Sequence, residues 1–179
     1  MDTTNWKGDL AAYAKMKILI VDDEPANVAL LEDILGEQGY TNLKSTTDSR
    51  GVLELCDEFD PDLILLDLFM PHLDGFAVLE SLRADRSEAY LPIIVLTADV
   101  NEETKRRALH SGATDFLNKP LDHIEVLLRI RNLLETRHIH QLLDNRCAAL
   151  EDAVHARTSE LQAAQPALEN VQSKITAEL

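Results

Sequence analysis

The sequence predicts an α/β protein in which a five-stranded parallel sheet carries helices on both faces and is followed by a long helical segment. Three observations predict it. Short apolar runs dense in β-branched residues alternate with stretches of helical periodicity. Each of these runs ends abruptly on a polar residue. From residue 121 to residue 165 there is neither Gly nor Pro.

Lys17 to Val21 (KILIV) is the first such run and reads as a buried strand. Asp22-Asp23-Glu24-Pro25 then starts a helix, because Pro tolerates the first helical turn and acidic residues suit its positive end. Val28, Leu31, Ile34 and Leu35 recur at helical spacing until Gly36 and Gly39 end the pattern. Leu43 to Thr46 is a weak strand, and Asp48 caps a helix running to about Phe59. Leu63 to Leu66 is a fully apolar strand ending at Asp67. Pro71 to Gly75 is a loop, with Gly75 expected to supply positive φ in a turn, and Phe76 to Ala84 a helix. Ile93 to Leu96 is a strand ending at Thr97, Asn101 to His110 a helix stopped by Gly112, and Asp115 to Asn118 a last strand before Lys119-Pro120.

In open parallel sheets, ligands bind beyond the carboxyl ends of the strands, near the point where strand order reverses. Asp22, Asp23, Asp67, Thr97 and Lys119 all follow or end strands, so the topology gathers them at that edge. Three carboxylates there would repel one another unless a cation intervened. Oxygen-only ligands suit Mg²⁺, which commonly bridges carboxylates and phosphate. Asp67, at the end of the central strand, is positioned as a nucleophile, while Lys119 offers a fixed positive charge and Thr97 a hydroxyl. Phosphoryl transfer needs little beyond such positioning and charge neutralisation.

The bulk composition narrows the alternatives. At 179 residues the chain has room for one domain and an appendage, and its formal net charge of −15 disfavours direct contact with nucleic-acid phosphates. Cys56 and Cys147 are far apart and form neither a disulfide framework nor a metal-ligand spacing, as expected in a reducing cytoplasm. Met1 to Lys15 lacks the basic start and apolar run of a signal peptide, and no apolar run approaches the length of a membrane span. A cytoplasmic location, without membrane or DNA binding, is the expectation.

Taken singly, the motifs are weak: an Asp-Asp pair before Pro is a common helix start, and Lys-Pro is a common turn. Together, Val-Asp-Asp-Glu-Pro (21–25), Leu-Leu-Asp-Leu-Phe-Met-Pro-His-Leu-Asp-Gly (65–75), Leu-Thr-Ala (96–98) and Asn-Lys-Pro (118–120) resemble, in order and spacing, the signature blocks of two-component response regulator receivers. The resemblance implies a flavodoxin-like sheet of order 2-1-3-4-5. It implies that Asp67 accepts a phosphoryl group from a sensor histidine kinase or phosphotransfer protein. Asp23, Asp67 and the backbone carbonyl of Phe69 would bind Mg²⁺, with Asp22 acting mainly through water. Thr97, Ala98 and Lys119 would hold the phosphoryl group, and Phe116 would be the aromatic whose burial follows the movement of Thr97. Phe69 and Asp99 depart from the commonest residues at positions that govern access of water to the phosphorylated site. A phosphatase of the aspartyl-phosphate kind is disfavoured, since its acid/base Asp would fall where Phe69 stands. His72 and His110 have no partners at metal-ligand spacing and read as surface residues.

Beyond the receiver, expected over residues 16–136 after an N-terminal extension of 1–15, residues 137–179 read as a coiled-coil linker. Leu143, Cys147, Leu150, Val154, Arg157 and Leu161 alternate at intervals of four and three, and Ala164, Leu168, Val171 and Ile175 continue the seam. A parallel homodimer is expected, with Arg157 as a polar core position and a kink or break at Pro166. The segment is loosely similar to linkers that precede HD-GYP phosphodiesterases, diguanylate cyclases or kinases, yet the chain has no His-Asp, Gly-Tyr-Pro or Gly-Gly-Asp-Glu-Phe motif. The sequence is compatible with a receiver signalling through a dimeric helix, the regulatory part of a larger regulator, or a constitutive dimerisation scaffold.

Overall fold

The computed structural model describes residues 13–85, 90–99 and 101–177, apart from the side chains of residue 85 and of 167–177. Most of the expected N-terminal extension, and the side chains of Leu168, Val171 and Ile175 in the seam, lie outside the described residues.

Five strands form one sheet: β1 (Lys17–Val21), β2 (Asn42–Thr46), β3 (Leu63–Asp67), β4 (Ile93–Thr97) and β5 (Asp115–Asn118). All neighbours pair in parallel, in the order β2-β1-β3-β4-β5. Among the described residues, the helices that follow β1 are α1 (Pro25–Glu37), α2 (Val52–Phe59), α3 (Gly75–Asp85), α4 (Glu102–His110) and α5 (His123–Ala177). Alternation along each strand sends successive side chains to opposite faces. Ile18, Ile20, Leu63, Leu65, Ile94 and Leu96 pack beneath α1 and the start of α5, whose Val126, Ile130 and Leu134 are fully buried. Leu19, Val21, Ile64, Leu66 and Val95 face the other way, against Val52 and Cys56 of α2, Leu79 and Leu82 of α3 and Ala108 of α4. The expected fold is the observed one.

The chain divides into two compact units, the first ending at His138 and the second beginning at Ile139. In the second unit every described side chain from 142 to 166 is exposed, including Leu143, Cys147, Leu150, Val154 and Leu161.

Three local expectations change. The helix expected from Asp48 begins as a 3₁₀ turn, Ser49–Gly51, with the Asp48 carboxylate accepting from the Arg50 N–H at 3.0 Å, before α2 proper starts. Gly75 does not serve a positive-φ turn; the described glycines with positive φ are Gly39 and Gly112. Gly75 is instead the first residue of α3, and a Cβ there would lie 2.3 Å from the Asp67 carbonyl oxygen and 2.7 Å from the Leu68 Cα. Its requirement is close approach between backbones. Finally, α5 is not broken at Pro166 but runs on to Ala177. The proline removes one hydrogen bond, and the Gln162 carbonyl it strands sits on an exposed stretch where water can take it.

Candidate functional site

The chain runs from β1 to β2 on one side of β1 and then returns to β3 on the other, so strand order reverses between β1 and β3. The carboxyl ends of these two strands deliver the acidic residues. Asp22 follows β1 and is fully buried; Asp23, the next residue, is half-buried; Asp67 is the last residue of β3 and is 4% exposed. The three carboxylates each offer an oxygen within 4.8 Å of the others. Such a cluster of hard oxygen donors around an accessible Asp23 fits an octahedral divalent cation such as Mg²⁺.

Lys119, brought in by the turn after β5, reaches into this cluster. Its Nζ donates to the Asp22 Oδ2 at 2.7 Å and lies 3.1 Å from the Asp67 Oδ2. The turn is fixed from below, because the Lys119 N–H donates to the Thr97 carbonyl at 2.8 Å. Burial pushes the Asp67 carboxyl above the ordinary carboxylate range; Lys119 pulls it back, the Asp22 charge raises it again, and a Phe69 N–H donated to the carboxylate lowers it. Burial works against the Lys119 charge as well. Its hydrogen bond to Asp22 and the field of both carboxylates outweigh that burial and hold its pKa above the usual lysine value.

Asp22 is held by more than Lys119. Its Oδ1 accepts from the Glu24 N–H at 3.0 Å and from the Asn27 side-chain amide at 2.9 Å, and the same amide reaches Oδ2 at 3.2 Å. Four contacts to one buried carboxylate leave it little freedom to turn toward a ligand. Sequence reasoning missed Asn27; its only signal is its place in the first turn of α1, directly after the acidic run.

Thr97 ends β4 and is 1% exposed. Its hydroxyl accepts from the Asp99 N–H at 3.0 Å and makes a long 3.4 Å contact to the Asp99 carbonyl, so it is engaged by its own loop. The Asp99 carboxylate faces neither Asp67 nor Lys119 in any hydrogen bond; it accepts from the Thr104 hydroxyl at 2.6 Å and the Asn101 N–H at 2.9 Å. Ala98 is exposed, and so is the Phe69 side chain, at 55%. Phe116 is half-buried against the core, with the Lys105 Nζ 4.8 Å from its ring centroid. The edge therefore brings Asp22, Asp23, Asp67 and Lys119 together, seats Thr97 beside them with its hydroxyl occupied, and leaves Phe69 and Ala98 open to solvent.

Comparison with known proteins agrees with this fold. Residues 18–131 match the response regulator receiver domain family. Response regulator PleD of Caulobacter vibrioides is 36% identical over 133 residues, covering 74% of this chain and 29% of PleD. A Vibrio cholerae protein named as a probable cyclic di-GMP phosphodiesterase is 30% identical over 151 residues, covering 84% of this chain and 34% of its own. The chain thus spans about a third of the length of either relative. Among solved structures, the receiver domain of NtrX from Brucella abortus superposes with a TM-score of 0.62 at 31% identity, covering 67% of this chain and 99% of that one.

Proposed function

The chain belongs to the response regulator receiver family, and from that premise we propose that Asp67 is its phosphoacceptor and that α5 carries the resulting signal to a second copy. The observation that carries the first half is the Lys119 ammonium bonded at once to Asp22 and to Asp67 at a buried strand edge, with Asp23 alongside. An Asp67 carboxylate oxygen attacks the phosphorus of a kinase or phosphotransfer-protein phosphohistidine; the new O–P bond forms as the P–N bond breaks, and the imidazole leaves. Lys119 neutralises charge on the incoming phosphoryl oxygens, moving from Asp22 toward them. Thr97 turns its hydroxyl to another oxygen, with the backbone at Ala98 beside it, and Phe116 follows into the space vacated. Asp23, Asp67 and the Phe69 carbonyl would hold Mg²⁺, with Asp22, fixed by Asn27, acting through water. Mg²⁺, when bound, supplies positive charge that three neighbouring carboxylates and a phosphoryl group require.

Support for the second half comes from the seam. Leu143, Leu150, Val154 and Leu161 are each more than half exposed on a continuous helix, at heptad spacing with Cys147. In a parallel pair the flanking residues five apart face each other across the seam; Arg146 and Glu151 stand in that relation and are both exposed. A parallel homodimer is the arrangement these residues favour. Its partners are a sensor histidine kinase or phosphotransfer protein and this second copy; no described helix is long and apolar enough to cross a membrane. We place its action in the cytoplasm, which its cysteine spacing suits, and without direct DNA contact, which its acidic charge disfavours.

A second reading, in which these units regulate an attached output enzyme such as an HD-GYP phosphodiesterase or diguanylate cyclase, has one observation behind it. The match to the Vibrio cholerae protein spans 151 residues, more than the first unit contains, and so extends into the helix beyond His138.

The test is incubation with acetyl phosphate and Mg²⁺ followed by intact-mass measurement. One phosphoryl group should add to the wild-type chain and none to Asp67→Asn. Equal labelling of that variant would remove Asp67 from the role.

A further inference from the structure

The loop after β4 contains a hydrogen-bonded chain that the phosphoacceptor reading does not use. It begins at the Thr97 hydroxyl, which accepts the Asp99 N–H at 3.0 Å. It continues through the Asp99 carboxylate, one oxygen of which accepts the Asn101 N–H at 2.9 Å and the other the Thr104 hydroxyl at 2.6 Å. It ends in the helix itself, where the Asn101 side chain caps α4 by accepting the Glu103 N–H at 3.1 Å. The Thr104 hydroxyl bond, and after it the Asn101 N–H, hold the Asp99 carboxyl below the usual carboxylate range, so it is a charged acceptor at this position.

We infer that Asp99 is a positioning residue that anchors Thr97 in its resting orientation. Its backbone occupies the Thr97 hydroxyl, and its carboxylate ties that backbone to the first turn of α4 through Thr104. This inference rests on the proposal that Thr97 turns to a phosphoryl group bound at Asp67. Rotating the Thr97 side chain toward that group gives up the bond its hydroxyl accepts from the Asp99 N–H. A contact made only in the resting state opposes the phosphorylated state by its own free energy, which lowers the apparent affinity for anything that requires the turned Thr97. The side chain of Asp99 thus affects the site through the threonine rather than by touching the phosphoryl group or the attacking water.

The experiment is titration of the full chain with beryllofluoride, which mimics a phosphorylated carboxylate, in saturating Mg²⁺, using Thr104→Val, Thr104→Ser and Asp99→Ala. Thr104→Val keeps the side-chain shape and removes the donor. It should tighten beryllofluoride binding by about three- to tenfold, the effect of one charge-assisted hydrogen bond in a half-buried setting. Thr104→Ser, which restores the donor, should return the affinity to the wild-type value. Asp99→Ala should shift it in the same direction as Thr104→Val, while Mg²⁺ affinity without fluoride stays constant in all three. Hydrogen exchange at the Asp99 amide should quicken in Thr104→Val. Wild-type affinity in both Thr104→Val and Asp99→Ala, with folded spectra intact, overturns the anchor alone. A wild-type chain indifferent to beryllofluoride overturns the phosphoacceptor reading, and the anchor with it.

Discussion

Two stretches of α5 are written in the same residues and behave in opposite ways. In the first unit Val126, Ile130 and Leu134 are wholly buried, while in the second Leu150 and Val154 are 64% and 65% exposed. Helical periodicity forms the helix in both cases. In the first unit, strands of the same unit cover the apolar stripe; in the second, the described side chains from 142 to 166 are exposed. The comparison teaches that the receiver covers its core within its own unit, whereas the described side chains beyond His138 leave an apolar stripe open, the stripe that the proposed parallel pairing would cover.

The largest expected effect tests the self-contained half. Asp67→Asn should abolish Mg²⁺-dependent phosphate incorporation, read by intact mass, with the far-ultraviolet spectrum unchanged. Next, the same substitution in the two stretches should give unequal results. Leu134→Ala should lower the unfolding free energy by about 2–5 kcal/mol, as large-to-small changes in a packed core do. Leu150→Ala, measured at a dilution where the chain is monomeric, should change it by about 0.5 kcal/mol or less. Comparable losses at both positions would mean that the seam is covered within the monomer. Leu150→Asp should then lower the average mass in sedimentation toward that of one chain without reducing phosphate incorporation at Asp67. A fully monomeric wild-type chain at high concentration would break the dimeric half of the comparison.

The smallest effect concerns pH. The Asp67 carboxyl has a pKa raised by burial, so the folded state disfavours its ionised form. The unfolded chain has an ordinary carboxylate there. Below that ordinary value both states are protonated and the group costs nothing. As pH rises through the raised folded value the cost grows to its full extent and then stays constant. In Mg²⁺-free buffer Asp67→Asn should therefore melt higher than wild type at pH 7, by a few degrees on the scale of about 2–4 °C per kcal/mol for chains of this length. The difference should narrow as pH falls toward the ordinary carboxylate range. A gap that widens on acidification would mean that Lys119 holds Asp67 ionised against its burial.

Most of the fold was legible because β1, β3 and β4 carry apolar runs that end abruptly. Even the weak strand at β2 forms, since β1 offers it a complete register from Lys17↔Asn42 to Val21↔Thr46. The carboxylates and Lys119 were legible from their places at strand ends. What was not legible depends on geometry that spacing does not encode. Asn27 belongs to no motif, and its role emerges only when the first turn of α1 carries its amide to Asp22. The orientation of Thr97 depends on a neighbour two residues on, whose side chain is itself held by Thr104. Pro166 reads as an interruption from its backbone cost alone, whereas water can satisfy the stranded Gln162 carbonyl on an exposed helix.

Gly75 has a consequence for variation. With its missing side chain pressed to within 2.3 Å of the Asp67 carbonyl, no other amino acid fits without pushing the end of β3. In a saturation library selected for phosphate uptake, position 75 should tolerate a single letter, while exposed Phe69, only two residues from the acceptor, should accept many. Permissiveness in this protein would then follow backbone crowding more closely than distance from the reactive oxygen.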